Sequence, residues 1–237
     1  MKFLNALVSV STAAVAMTIL SQGASAANLT QAEYDAQLGD KYGLSYDQWS
    51  LFNEVATTEE RVALDNADIN SLLLEDLTWE TGAEDIEIFF INEGAGIQSD
   101  LLYSTDGGTL QTLWDDISSP NSVLPETDGL LSLGEGLNLG SFASGTILDL
   151  VLEADDETFR IDPELNEDGL PHVTAYESNG FLLLGFEDRT GELNDGDFND
   201  VVIAIKGLPD TADVPEPMGT TALLGMGMLG LMRLRRR

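Results

Sequence analysis

The chain has 237 residues, no cysteine, a single histidine and a formal net charge of −32, with 42 Asp and Glu against 10 Lys and Arg. The lack of cysteine excludes a disulfide framework and thiolate metal sites. The acid excess repels phosphate backbones and so excludes nucleic acid as a partner, while favouring divalent cations and basic or neutral ligands. A hydrophobic content of 43% still allows a packed core.

Residues 1–26 read as a secretory signal peptide. One early positive charge, Lys2, precedes a short apolar region that closes on Ala24-Ser25-Ala26, an A-x-A cleavage site before Ala27. The apolar stretch is too short and interrupted to span a bilayer.

Residues 27–70 form a helical segment. Thr30…Glu33, Ser45…Gln48 and Thr57…Glu60 have capping-box spacing, in which each side chain satisfies a backbone N–H of the other residue. Apolar residues follow at helical spacing: Tyr34 and Leu38, then Trp49, Phe52 and Val55, then Val62 and Leu64. Two or three short helices are expected, with Gly39 and Gly43 ending the first. Such helices are too short to stand alone, which favours a cap packed on a larger domain over a separate partner-binding module.

From residue 71 to 208 the pattern is β. Strands are expected over 72–79, 86–91, 101–104, 110–114, 146–153, 172–176, 181–186 and 201–205, with hairpin turns at Asp106-Gly107-Gly108 and Ser178-Asn179-Gly180. Many short strands without strand–helix alternation indicate a mainly β fold, a β-sandwich or jelly roll preceded by the short α-helical segment.

The densest chemistry lies at 185–200, where six acids accompany one arginine. Packing these like charges together costs energy unless a cation joins them. Asp195, Asp197 and Asn199 alternate and can direct oxygens to one side. Glu187, Asp188, Asp200 and loop carbonyls can complete the six to eight oxygens that calcium takes. The loop is not an EF-hand: its sixth position is Asp200 rather than Gly, and its twelfth is Lys206 rather than Glu. A solvated Asp-Gly turn is the competing reading. Asn166-Glu167-Asp168-Gly169 is a weaker second loop, read as an ordinary turn, and the lone His172 as a structural hydrogen-bonding residue.

Several stretches together resemble the domain of unknown function 4114. They are Phe90-Ile91-Asn92-Glu93-Gly94-Ala95-Gly96, the segment 138–146, the segment 162–169 with His172, Leu184-Gly185-Phe186-Glu187-Asp188, and Asn199-Asp200-Val201-Val202. The similarity runs from about 80 to 206. It departs at 189–193, where Arg189-Thr190-Gly191-Glu192-Leu193 stands in place of a glycine-rich stretch. The resemblance implies a β-rich extracellular domain and adds weight to calcium as the ligand of the acidic loop.

The segment 209–237 begins as a linker and contains Pro215-Glu216-Pro217, fifteen mostly apolar residues at 218–232, and Arg233, Arg235, Arg236 and Arg237. Fifteen residues barely cross a bilayer, and the arginines would hold their end in the cytoplasm. This order resembles the PEP-CTERM sorting signal. That resemblance implies transient membrane association through 218–232, cleavage by an exosortase-type processing enzyme, and a secreted or cell-surface destination in a Gram-negative-type bacterium that makes exopolysaccharide. Between the two tags, residues 27–214 hold 41 acids and 5 bases, a net of −36.

No G-x-S-x-G elbow or cysteine nucleophile is present, so a hydrolase built on paired carboxylates is the weakest expectation. The expected function is that of a calcium-binding structural or matrix-associated module, in contact with exopolysaccharide or surface proteins. The alternative is a calcium-dependent, adhesin-like binder of carbohydrate or protein.

Overall fold

A computed structural model describes residues 29–57, 69–73, 80–82, 84–126, 128–191 and 196–208. Helices α1 (Gln31–Leu38) and α2 (Tyr46–Ala56) each open with the expected capping box. Glu33 N–H donates to Thr30 Oγ1 at 3.4 Å while Thr30 N–H donates to Glu33 Oε2 at 2.9 Å. Ser45 and Gln48 make the same exchange. Gly39 caps the end of α1, whereas Gly43 does not terminate a helix but forms an isolated bridge with Glu135. Thr57 closes α2, and the expected third helix falls on 58–68, outside the described residues.

Ten strands occur among the described residues. They are β1 (Asn70–Leu72), β2 (Asp85–Glu93), β3 (Ser99–Thr105), β4 (Gln111–Trp114), β5 (Gly136–Ser141), β6 (Leu148–Ala154), β7 (Glu157–Arg160), β8 (Val173–Ser178), β9 (Phe181–Phe186) and β10 (Val201–Lys206). They form a six-stranded sheet, β1-β8-β9-β10-β2-β5, and a four-stranded sheet, β4-β3-β6-β7. Every pairing is antiparallel. One buried cluster runs through both sheets, from Leu101, Leu150 and Phe159 to Phe90, Phe186 and Ile203. This is the mainly β, sandwich-like fold read from the sequence.

The larger sheet is covered on both faces. Successive strand residues point to opposite sides, yet β2 is buried without a break from Ile88 to Glu93, and β10 from Val201 to Ile205. One face lies beneath the helices, where Phe181 meets Phe52 and Phe89 at ring distances of 5.1 and 5.9 Å. The other carries Ile88 and Phe90, fully buried in the cluster that also holds residues of the second sheet. That double burial is why these strands appear as unbroken apolar runs.

The helices belong to this core. Trp49 and Phe52 are buried, and Trp49 Nε1–H donates to the Ile91 carbonyl at 2.9 Å. The β8–β9 hairpin turns on Asn179 and Gly180, both with positive φ (52° and 76°), the backbone of a two-residue primed turn.

Two strands are not in the sequence expectation. β5 reads Gly-Leu-Asn-Leu-Gly-Ser, which resembles a loop in composition, but pairs along the edge of β2. β7 is a short edge strand of alternating exposure, closing β6 across the turn at Asp155. The expected strand 72–79 is seen only as β1, and 74–79 lie outside the described residues. No helix among the described residues is long and apolar enough to cross a membrane, and 218–232 lies outside them.

Candidate functional site

Three neighbouring strands of the large sheet end together. β9 stops at Phe186, β10 starts opposite it at Val201, and Val201 in turn pairs with Glu93, the last residue of β2. The acidic loop therefore leaves and re-enters the sheet beside Glu93. A bulge between Val202 and Ile203 shifts the β10–β2 register there, a common device next to functional sites. Gly94 N–H donates to the Asp200 carbonyl at 3.0 Å, tying the end of β2 to the loop.

Within the loop, several of the expected ligands serve the backbone. Glu187 is fully buried, its N–H donates to the His172 carbonyl, and its Oε1 accepts from Phe198 N–H at 2.5 Å. That bond holds Phe198 at φ 58°, a left-handed conformation rare for a bulky residue. Asp200 Oδ2 accepts from Asp188 N–H at 2.9 Å. Asp197 accepts from both the backbone N–H and the side-chain amide of Asn199, at 3.2 and 2.6 Å. Asp195 lies outside the described residues. The structure thus brings Glu187, Asp188, Asp200, Asp197 and Asn199 to one end of the sheet, with Asp197 and Asn199 facing each other.

Asp188 differs from its neighbours. It is buried, Arg189 Nε stands 4.0 Å from Oδ1, and Oδ2 has no hydrogen-bond partner among the described residues. Burial raises its carboxyl to about 7; Asp200 and Glu187 add to that rise, and Arg189 opposes it.

Across the strand ends lies Glu93, which the sequence reading did not single out as a ligand. It is 1% exposed, and neither carboxylate oxygen has a hydrogen-bond partner among the described residues. Burial raises its carboxyl to about 8. The nearby Ser122 hydroxyl lowers it somewhat, and the charges of Glu126, Asp188 and Asp116 raise it further. Ser122 Oγ is itself buried, with no hydrogen-bond partner among the described residues.

The segment carrying Ser122 is pinned over β2 by Asn92. Asn92 Oδ1 accepts from Val123 N–H at 3.0 Å and from Glu93 N–H at 2.8 Å, and its amide donates to Asn53 Oδ1 of α2 at 2.5 Å. Asp116, at φ 67°, opens the same segment with Oδ1 unbonded among the described residues. The sequence signals for Glu93 were an acid closing an apolar run, Ile88-Phe89-Phe90-Ile91-Asn92-Glu93, and its place in the family-like stretch 90–96, neither of which marks it as a ligand.

Among the described residues no three Asp, Glu or His side chains form a group that would hold a metal by themselves. Of the acids at this end of the sheet, Glu93 and Asp188 stand out as buried carboxylates with oxygens that lack a hydrogen-bond partner among the described residues.

The second loop folds as a turn. Asp168 Oδ1 accepts from Leu170 N–H at 2.9 Å, and the Asn166 amide donates to the Arg160 and Leu170 carbonyls. His172 is buried with Nε2 3.0 Å from Asp168 Oδ2. The adjoining pocket, lined by Glu157, Phe159, Asp168, His172 and Thr190 among others, has a volume of about 80 Å³, far below the several hundred Å³ of small-molecule sites.

The fold and this end of it define an antiparallel β-sandwich with a buried, carboxylate-rich strand terminus. The family described as a domain of unknown function (DUF4114) matches residues 142–208. The matched stretch carries β6 to β10 and the whole acidic loop, while β2, Glu93 and the 116–126 segment lie before it. No match to a curated protein was found.

Proposed function

We propose that this is an exported, surface or extracellular protein whose acidic β-sandwich binds calcium and serves as a structural or matrix-associated module. The observation that carries this reading is the pairing of buried carboxylates at one end of the large sheet, with Glu93 and Asp188 both holding oxygens that no hydrogen bond satisfies among the described residues. Buried carboxylates are costly unless they are protonated or joined by a cation. Calcium is the hard, oxygen-seeking ion that suits a site of carboxylate, hydroxyl, carbonyl and water oxygens. The reading assigns the protein no reaction.

Extracellular calcium modules work with dissociation constants of about 10⁻⁴ to 10⁻³ M. A tenfold excess of calcium over its dissociation constant stabilises the folded state by about 1.4 kcal/mol. In a domain of this size that corresponds to a rise in melting temperature of about 3–5 °C. Differential scanning calorimetry of the whole chain in excess chelator and in millimolar calcium reads this directly. Equal melts in the two buffers exclude the calcium reading.

Export rests on the two terminal sequences. It predicts that protein recovered from a native host begins at Ala27 and ends near Pro215-Glu216-Pro217, having met an exosortase-type enzyme while 218–232 held it at the membrane. Intact-mass measurement decides this, and a mass running from Met1 to Arg237 refutes it.

A further inference from the structure

We infer that the calcium site is centred outside the acidic loop, between the end of β2, the 116–126 segment and the start of the β9–β10 loop, with Glu93 and Asp188 as its anionic ligands and the Ser122 hydroxyl as a neutral one. This placement rests on the calcium reading above and adds two ligands that neither the loop sequence nor the family match contains.

Apart from Asp188, the described loop acids that the spacing nominates are engaged in holding the loop. Glu187 fixes Phe198, Asp200 receives the Asp188 N–H, and Asp197 receives two bonds from Asn199. Glu93 stands in the opposite situation. It is nine-tenths buried and more, both oxygens lack hydrogen-bond partners among the described residues, and Ser122, Asp188, Asp116 and Glu126 are near enough to act on its charge. A buried carboxylate in that state leaves up to four lone pairs unused, and buried polar groups left so are rare in folded proteins.

Ser122 Oγ and Asp188 Oδ2 share the condition. Four oxygens without hydrogen-bond partners among the described residues, from three separate chain segments, thus belong to groups that act on one another at this end of the sheet. A divalent cation among them uses oxygens that no donor of the described protein reaches, and water or main-chain carbonyls can fill the remaining coordination positions. Asp116 and Glu126 add negative charge around the same point without needing to touch the ion.

The alternatives on this molecule are weaker. The pocket beside His172 has its histidine and Asp168 facing each other, and Asp168 and Asp162 accept from the backbone N–H groups of Leu170 and Glu164.

The test compares the wild-type whole chain with Glu93→Gln, which keeps the shape and removes the charge. Each protein is stripped with chelator and titrated with calcium chloride by calorimetry, and each is melted with and without calcium. The inference expects Glu93→Gln to bind calcium at least tenfold more weakly and to lose the calcium-dependent rise in melting temperature. Its melt in chelator should equal or exceed that of the wild type, because a like charge has been removed from a buried cluster. Wild-type calcium affinity in Glu93→Gln overturns the placement and leaves the calcium reading standing. A wild-type chain that ignores calcium defeats both. If Glu93→Gln does not fold, Ser122→Ala reads the same position: a threefold or greater loss of affinity supports the site, and unchanged affinity overturns it.

Discussion

Replacing Trp49 by alanine is expected to remove about 3–5 kcal/mol of stability, a large part of the 5–15 kcal/mol typical of a whole domain. The indole is 1% exposed. It stacks on Tyr34 at 4.9 Å and donates to the carbonyl of Ile91 inside β2. Truncation leaves a cavity between helix and sheet and strands a buried acceptor on the central part of the fold. Trp49→Phe keeps most of the packing and loses the hydrogen bond, so it should cost only about 1 kcal/mol beyond its smaller volume. Urea unfolding followed by circular dichroism separates the two. If Trp49→Ala unfolds within 1 kcal/mol of wild type, the helices are a dispensable cap and do not belong to the core of the large sheet.

The second large effect is expected at Gly185, the penultimate residue of β9, where the strand runs into the acidic loop. A Cβ there would lie well inside van der Waals contact of the Phe198 carbonyl oxygen and 3.3 Å from Thr174 Cγ2. The obstacle is backbone on one side and β8 on the other, so no flexible side chain can swing away. Gly185→Ala should cost about 2–3 kcal/mol, at the upper end of overpacking penalties. The displaced segment is the one whose N–H sits on Glu187, so Asp188 moves with it. The same variant should therefore weaken calcium binding although it alters no oxygen. Calorimetry and thermal melts together check this: a destabilised protein with wild-type calcium affinity would uncouple the Phe198 clamp from the site.

Much of this fold could be read in advance where local chemistry decides the outcome. The helix starts at Thr30 and Ser45 follow from side chains that bond within three residues, and the β8–β9 turn from Asn179-Gly180. The runs at 86–91, 181–186 and 201–205 are β because they are branched and apolar. What failed was decided at a distance. β5 has no propensity to announce it and exists because β2 presents an open edge. In the site, the loop acids were visible as a charge run, but their spacing gave no hint that Glu187 would turn inward to Phe198 or Asp197 toward Asn199. Glu93 was hidden more deeply. It lies more than a hundred residues from Val201 in the chain and meets it only through the β10–β2 register.

That register has a consequence for the order of assembly. β10, the last strand among the described residues to be synthesised, lies inside the large sheet, between β9 and β2. Until residues 201–206 are present, β2 has nothing along one side and the sheet stays divided into β8–β9 and β2–β5. Pairings of such long sequence separation form slowly, since the loop between them must close first. A chain arranged this way can complete its large sheet only when nearly all of residues 29–206 have been made.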